Sequence, residues 1–231
     1  MTAVAIIVEY QTPDLLALCL ASLKRFAPEV RPILIAGEEG AAAHAAGIEA
    51  VRRRGIGAAD IVILVDTDSV ILSDVWLPWV EAKLEEVSAV GGLRHRGDVA
   101  QVYCQGHMLL HAHCLAMTRA LFEKVPTFRA EGVWDTAWQV TWYAGSESTV
   151  VVPMMPTPDG WPDRVGIYLT FGDRPMWAHL GRGTSFRPRS GPRETLRKIV
   201  AGLGSPRAKK ILSYQQDRQE FLRKGWEIVR A

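Results

Sequence analysis

Two carboxylates, Asp66 and Asp68, follow directly on the apolar run Ile61–Val65. Five successive apolar residues, most of them β-branched, are typical of a strand buried on both faces within a parallel sheet. Open α/β sheets bind ligands outside the carboxyl ends of their strands, so both side chains are expected to point into such a crevice. Divalent cations such as Mg²⁺ and Mn²⁺ accept oxygen ligands there and keep positions for substrate phosphates. A plain Asx-type turn is the alternative, and the preceding buried strand favours the metal and phosphate interpretation.

Strands and helices alternate with short connections on both sides of this run, a pattern that predicts an α/β fold with a mainly parallel central sheet flanked by helices. Thr12 and Pro13 are typical of the start of a helix, and Gly55 or Gly57 of the end of the next one. The predicted strands of the first half cover residues 4–8, 32–36 and 61–65. Of the two predicted helices between them, the first ends near Phe26 and the second covers residues 41–54.

Charge divides the chain into an acidic body and a basic tail. Residues 1–179 hold 14 Lys and Arg against 21 Asp and Glu, and residues 180–231 hold 13 against 4. The Pro- and Gly-containing stretch after Phe186 predicts a linker, so the expected domains are residues 1–186 and a basic amphipathic helical extension, 187–231. Such a tail either packs back on the acidic body or contacts a membrane surface or another copy of the chain. We expect no nucleic acid partner.

The composition predicts a cytoplasmic protein, peripheral at a membrane if the tail docks there. Three cysteines without CxxC spacing suit a reducing compartment. No apolar run approaches the roughly 18 residues of a membrane span, and no basic region precedes the apolar residues at the N-terminus.

Six segments in the expected order resemble the GT-A glycosyltransferases, in particular the family-2-like group that uses nucleotide-diphosphate sugars. Together they extend over residues 4–186. The segments are the first strand with Tyr10-Gln11-Thr12-Pro13-Asp14, the helix at 41–50 with Gly47, Asp66-Thr67-Asp68 followed by Trp76-Leu77, Met117–Phe122, Trp134-Asp135-Thr136, and Ala178-His179-Leu180-Gly181.

The resemblance implies a Rossmann-like fold that binds a UDP-, GDP- or dTDP-sugar. The donor-binding residues that it implies are Tyr10, Gln11 and Thr12 after the first strand, Glu38 after the second, and Asp66 with Thr67. Three positions depart from the family pattern: Gln11 replaces Asn, Glu38 stands beyond the usual Asp position, and Trp134 replaces Glu.

The same resemblance implies the reaction. Asp68 and His179 would hold the Mn²⁺ or Mg²⁺ ion that offsets charge on the departing diphosphate, with imidazole favouring Mn²⁺. Asp135 would be the general base that takes the proton of an unidentified acceptor hydroxyl, with inversion at the anomeric carbon. From the residues alone, His179 also fits an ordinary strand-end histidine and Asp135 an N-cap, and Glu131 is the next candidate base.

Further histidines and cysteines cluster between residues 104 and 114, but their spacing fits no zinc-finger pattern. We expect His111 and His113, two residues apart on one strand, to line the acceptor pocket instead.

Two other functions use the same residues. A haloacid-dehalogenase-like phosphatase also carries Asp-x-Asp after an apolar strand, although Gly172-Asp173 is not followed by the second carboxylate of that family. The other is a catalytically inactive GT-A scaffold that binds a partner through its tail.

Overall fold

The computed structural model describes residues 1–9, 12–37, 41–93, 103–104, 107–108, 110–130, 137–145, 148–152, 154–155, 161–162, 165–169, 175–180 and 206–231. The strands in chain order are β1 (Ala3–Glu9), β2 (Arg31–Ala36), β3 (Ile61–Val65), β4 (Ser69–Ile71), β5 (Ala89–Leu93), β6 (Tyr103–Cys104), β7 (His107–Met108), β8 (Leu110–Thr118), β9 (Thr149–Val152), β10 (Met154–Met155), β11 (Gly166–Leu169) and β12 (Pro175–His179). The helices are α1 (Pro13–Phe26), α2 (Ala41–Arg54), α3 (Trp76–Leu84), α4 (Arg119–Lys124), α5 (Trp138–Ala144) and α6 (Pro206–Arg230).

A six-stranded sheet in the order β2-β1-β3-β8-β5-β9 forms the centre of the protein. β1 pairs in parallel with β2 and β3, and β5 pairs in parallel with β9, while β8 runs antiparallel between β3 and β5. Every residue of β3 is buried, as expected for a central strand. The predicted fold class, an α/β protein with a mainly parallel central sheet flanked by helices, is confirmed.

A smaller antiparallel sheet, in the order β10-β11-β12-β4, lies next to the carboxyl end of β3. Its strand β4 begins at Ser69, directly after the two aspartates. β12 pairs with β4 so that His179 lies opposite Ser69. This pairing therefore brings a residue from late in the chain to the end of the central strand.

Buried apolar residues fill both faces of the central sheet. The residues of β1 and β3 alternate between two clusters: Ala5, Ile7 and Ile63 face α1 and α3, and Ile6, Val62 and Leu64 face α2 and α4. α2 ends at Arg54 because Gly55 follows with a φ of 82°, which a side chain would disfavour. The two layers hold the carboxyl ends of the parallel strands at one edge.

The C-terminal helix α6 packs on α1 within a third cluster. Tyr214 and Phe221 are buried there against Leu15 and Leu18. At Gly225 the two helices approach so closely that an added Cβ would lie 2.5 Å from Leu18 Cδ2. The described helix of the tail therefore packs on the body of the protein. The predicted boundary at residues 186–187 lies outside the described residues and stays a prediction.

Charged side chains of α6 form ion pairs at the surface. Arg218 pairs with Asp14 on α1, and Arg223 pairs with Glu220 and Glu227 one helical turn away on either side. Exposed pairs of this kind contribute at most about 1 kcal/mol each, so apolar burial is the main attachment. Among the described residues, no helix is both long and apolar enough to cross a bilayer.

Removing one buried ring should show how much α6 contributes to stability. Phe221 is fully buried and meets Trp161 edge-on at 5.7 Å. We expect Phe221→Ala to lower the free energy of unfolding by about 3–4 kcal/mol, from lost burial and the cavity left behind. Leu212→Ala, at a position 37% exposed on the same helix, should change it by less than about 0.5 kcal/mol. Equal effects of the two variants in urea denaturation would contradict this packing.

Candidate metal and donor site

Three side chains converge at the carboxyl end of β3: Asp66, Asp68 and His179. One ligand atom from each lies within 4.8 Å of the other two. His179 Nε2 is 3.2 Å from Asp68 Oδ1 and 3.7 Å from Asp66 Oδ2. The Asp68 side chain is 8% exposed and that of His179 13%, whereas Asp66 is 24% exposed and faces the solvent more.

The spacing of these atoms fits a divalent cation. Two ligands at right angles on a cation with bonds of about 2.1 Å lie about 3 Å apart, close to the distance between Asp68 Oδ1 and His179 Nε2. Two carboxylates with one imidazole suit Mn²⁺ and Mg²⁺, and the imidazole favours Mn²⁺. The predicted ligands Asp68 and His179 are therefore together, and Asp66 lies within reach of the same ion.

Backbone hydrogen bonds fix the loop that carries the aspartates. The Ser69 amide donates to Asp66 O at 3.0 Å, and the Leu180 amide donates to Asp68 O at 3.1 Å. The second bond continues the β4–β12 ladder past His179. The ladder, rather than any contact local in sequence, sets the distance between His179 and Asp68.

Thr12 and Thr67, both predicted to contact the donor, meet beside this loop. Their hydroxyl oxygens are 3.1 Å apart and buried. The Thr12 amide also donates to Glu9 Oε1 at 2.8 Å. The end of β1, the start of α1 and the Asp-x-Asp loop are thus joined into one unit. Tyr10, Gln11 and Glu38 lie outside the described residues, and their predicted nucleotide contacts stay predictions.

Burial and its neighbours govern the ionisation of Asp66. Removal from water raises the pKa of this carboxyl, and the nearby charge of Asp68 raises it further. The imidazoles of His44, His179 and His111 act in the opposite direction and lower the pKa. The two carboxylates repel each other, and a bound cation would relieve this repulsion.

Comparison with solved structures finds sugar transferases among the similar folds. A mannosyltransferase from Pyrobaculum calidifontis, in complex with GDP-Man and Mn²⁺, is 16% identical with a TM-score of 0.47; the match covers 66% of this chain and 55% of that one. The catalytic domain of Drosophila β1,4-galactosyltransferase 7, complexed with xylobiose, is 14% identical with a TM-score of 0.43, covering 85% and 80%.

The matches also include another kind of enzyme. A 4-diphosphocytidyl-2C-methyl-D-erythritol synthase from Anaerococcus prevotii is 12% identical with a TM-score of 0.39, covering 65% of this chain and 86% of that one. No protein-family model matches the chain, and no curated protein does either. Likeness at this level carries no argument about activity.

The candidate base Asp135 lies outside the described residues, as do Glu131 and Trp134. Helix α5 begins at Trp138, three residues after Asp135 in the sequence. The role of Asp135 therefore remains a proposal from the sequence resemblance. Trp142 on α5 is 41% exposed.

Of the two histidines on β8, His113 does not lie where the sequence predicts. It is fully buried, so its expected place in the lining of an acceptor pocket is wrong. Its ring instead lies against that of His179 with centroids 4.5 Å apart. His111 is partly exposed, with its ring centroid 6.0 Å from that of His179.

His44 is a site residue that the sequence analysis missed. It projects from α2 with Nε2 3.6 Å from Asp66 Oδ1, on the oxygen that does not face His179. The only sequence signal was a histidine in the Ala-rich helix at residues 41–50, one of the six segments that carry the family resemblance. Asp66 is therefore held between imidazoles from two elements, α2 and β12.

Replacing His44 should shift the pH dependence of metal binding. Since His44 lowers the pKa of Asp66, His44→Ala should raise that pKa, and the carboxylate should become protonated at a higher pH on acidification. We expect the acid limit of Mn²⁺ binding, measured by titration across pH, to move upwards. Arg53→Ala removes a cation from an exposed position of the same helix and should leave the limit in place. A downward shift in His44→Ala would contradict the assignment.

Proposed function

We propose that the protein is a metal-dependent glycosyltransferase that moves a sugar from a nucleotide-diphosphate donor to an acceptor hydroxyl. The observation that carries the proposal is the convergence of Asp66, Asp68 and His179, within 4.8 Å, at the carboxyl end of a buried central strand. Ligand sites of open α/β sheets lie at this edge. The donor set suits the cation that accompanies a diphosphate.

In this proposal Asp68 and His179 hold Mn²⁺ or Mg²⁺, with Asp66 beside them. When bound, the ion supplies a charge that stabilises the departing diphosphate. Thr12 and Thr67 keep the end of β1 against the metal loop, which suits a nucleotide lying across both elements. Tyr10, Gln11 and Glu38 take the nucleotide contacts implied by the family resemblance.

Asp135 is the proposed general base. A carboxylate on the face opposite the leaving group accepts the proton of the attacking hydroxyl, and direct displacement then inverts the anomeric carbon. The donor nucleotide is proposed to be UDP, GDP or dTDP. We place the enzyme in the cytoplasm because Cys19 and Cys114, both buried, are free thiols.

A contact between the basic tail and an anionic membrane surface, or a second copy of the chain, is an additional proposal. The contact would use the charged residues of the tail that take no part in the packing of α6 on α1.

A thermal-shift screen tests the function. UDP, GDP and dTDP are added singly with Mn²⁺, Mg²⁺ or EDTA, and the corresponding monophosphates are the controls. A nucleotide diphosphate at about 100 times its Kd should stabilise the protein by about 2.7 kcal/mol, or about 5–10 °C for a chain of this size, only when the metal is present. The same shift in EDTA would contradict the proposal. Hydrolysis of p-nitrophenyl phosphate without any nucleotide would favour the phosphatase instead.

A further inference from the structure

We propose that His113 is the positioning residue of the metal site, holding His179 through its ring and the aspartate loop through its carbonyl oxygen. This inference rests on the proposed metal site and deepens it. His113 is not one of the three residues Asp66, Asp68 and His179 that form the candidate metal group. Its contacts nevertheless reach all the parts of the chain that supply those ligands.

The ring of His113 forms a flat support behind His179. The two imidazoles have centroids 4.5 Å apart and planes inclined by only 20°. His113 also meets the ring of Tyr168 at 4.7 Å, with planes inclined by 39°. Tyr168 stacks on Trp177 at 4.7 Å with planes 9° apart, and Trp177 itself lies 6.2 Å from His113. Trp177, Tyr168, His113 and His179 thus form a ring cluster that includes a proposed metal ligand.

The backbone carbonyl oxygen of His113 holds the loop that carries the other two proposed ligands, Asp66 and Asp68. It accepts hydrogen bonds from the Asp66 amide at 3.2 Å and from Ser69 Oγ at 2.6 Å. These donors lie on either side of Asp68 and Thr67, so one oxygen spans the whole Asp-x-Asp turn. Since a side-chain substitution leaves this carbonyl in place, the contribution of the ring can be measured separately.

Gly92 shows how tightly the ring cluster is enclosed. A Cβ at Gly92 would lie 2.3 Å from Tyr168 Cε1 and 2.8 Å from His113 Nε2. A Cβ at Gly91, one residue earlier on the same strand, would lie 3.0 Å from Leu115 Cδ1, and its nearest neighbours include no ring of the cluster. The absence of a side chain at Gly92 therefore lets the strand pack directly against the ring cluster.

A metal binds a histidine best when the imidazole is already turned towards it. A ring that rotates freely about its side-chain bonds must be ordered on binding, and this lowers affinity. Groups that orient metal ligands from behind typically contribute about 10–100-fold to metal affinity. An aliphatic side chain in place of His113 would fill much of the volume but would not give His179 a flat surface.

The test compares Mn²⁺ affinities, measured from the electron paramagnetic resonance signal of free Mn²⁺, in the full chain. His113→Leu should raise the Kd at least tenfold, and His113→Phe, which keeps an aromatic surface, should stay within about threefold. Met117→Ala, at a fully buried position on the same strand, is the packing control. It should lower the Tm and leave the Kd unchanged.

A second pair of variants decides the matter if His113→Leu does not fold. Gly92→Ala should displace the ring cluster and weaken Mn²⁺ binding several-fold, whereas Gly91→Ala should leave the Kd unchanged. An unchanged Kd in folded His113→Leu, or equal Kd values in the two glycine variants, overturns the positioning role alone. Failure of the unaltered protein to bind Mn²⁺, with or without nucleotide diphosphates, overturns the proposed function and this inference together.

Discussion

Asp68→Ala should abolish metal-dependent donor binding and lower turnover about 10³-fold. Asp68 is the more buried of the two aspartates, and its Oδ1 is the atom closest to His179 Nε2. Without it the proposed cation loses a charged ligand and the departing diphosphate loses its main electrostatic stabilisation, an effect of this order in comparable sites. The measurements are the Mn²⁺-dependent thermal shift with each nucleotide diphosphate and the rate of sugar transfer.

The control for this variant is Asp74→Ala. Asp74 is an exposed carboxylate shortly after β4, so its removal changes the net charge equally without touching the site. Asp74→Ala should keep both donor binding and turnover. If Asp68→Ala kept its Mn²⁺-dependent shift and its activity, the metal site assigned to this loop would be wrong. If deletion of the tail abolished all measurable function while substitutions of Asp68 and Asp135 were harmless, the catalytically inactive scaffold would be the better interpretation.

Asp135→Asn should keep donor binding and lose turnover by about 10²–10⁴-fold, the usual effect of removing a general base. Asparagine keeps the shape of the side chain but cannot accept the acceptor's proton. Donor binding depends on the metal site at the end of β3, so Kd for the nucleotide diphosphate should not change. The effect should therefore appear in kcat and equally in kcat/KM.

Glu131→Gln is the matched comparison, since Glu131 is the next candidate base in the same segment. We expect this variant to retain most of its turnover. Loss of activity in Glu131→Gln together with normal rates in Asp135→Asn would move the base to Glu131. Loss of donor binding in Asp135→Asn would show that Asp135 contacts the donor.

The elements near the N-terminus could be predicted because their signals are local. β1, α1, β2, α2 and β3 each follow from apolar periodicity, a helix start at Thr12 and Pro13, or glycines after Arg54. The burial of β3 on both faces also follows from its unbroken apolar run. Asp66 and Asp68 could therefore be placed at the correct edge of the sheet from the sequence alone.

The rest of the site depends on contacts between distant parts of the chain. β4 is only a short strand, and its pairing with β12 aligns Ser69 with His179, 110 positions later. Local periodicity carries no information about such a register. His179 was identified through the family resemblance, while its distance from Asp68 is a consequence of this ladder.

The histidines show the same limit in two ways. His44 lies in an Ala-rich helix, where the pattern predicts α2 but not which side chain reaches Asp66. His113 was expected in a pocket because it shares a strand with His111. Strand alternation does not say what covers a given residue, and here Tyr168 and His179 enclose the ring.

The most direct test of the account is a crystal structure with a bound nucleotide diphosphate and Mn²⁺, with the ion located by anomalous scattering. We predict one anomalous peak about 2.2 Å from ligand atoms of Asp68 and His179. The ion at this peak should also be coordinated by oxygens of the diphosphate and should lie next to Asp66. A complex in which the nucleotide diphosphate is bound but the Mn²⁺ peak lies away from Asp68 and His179 would contradict it. A peak that these two side chains cannot both reach would contradict it as well.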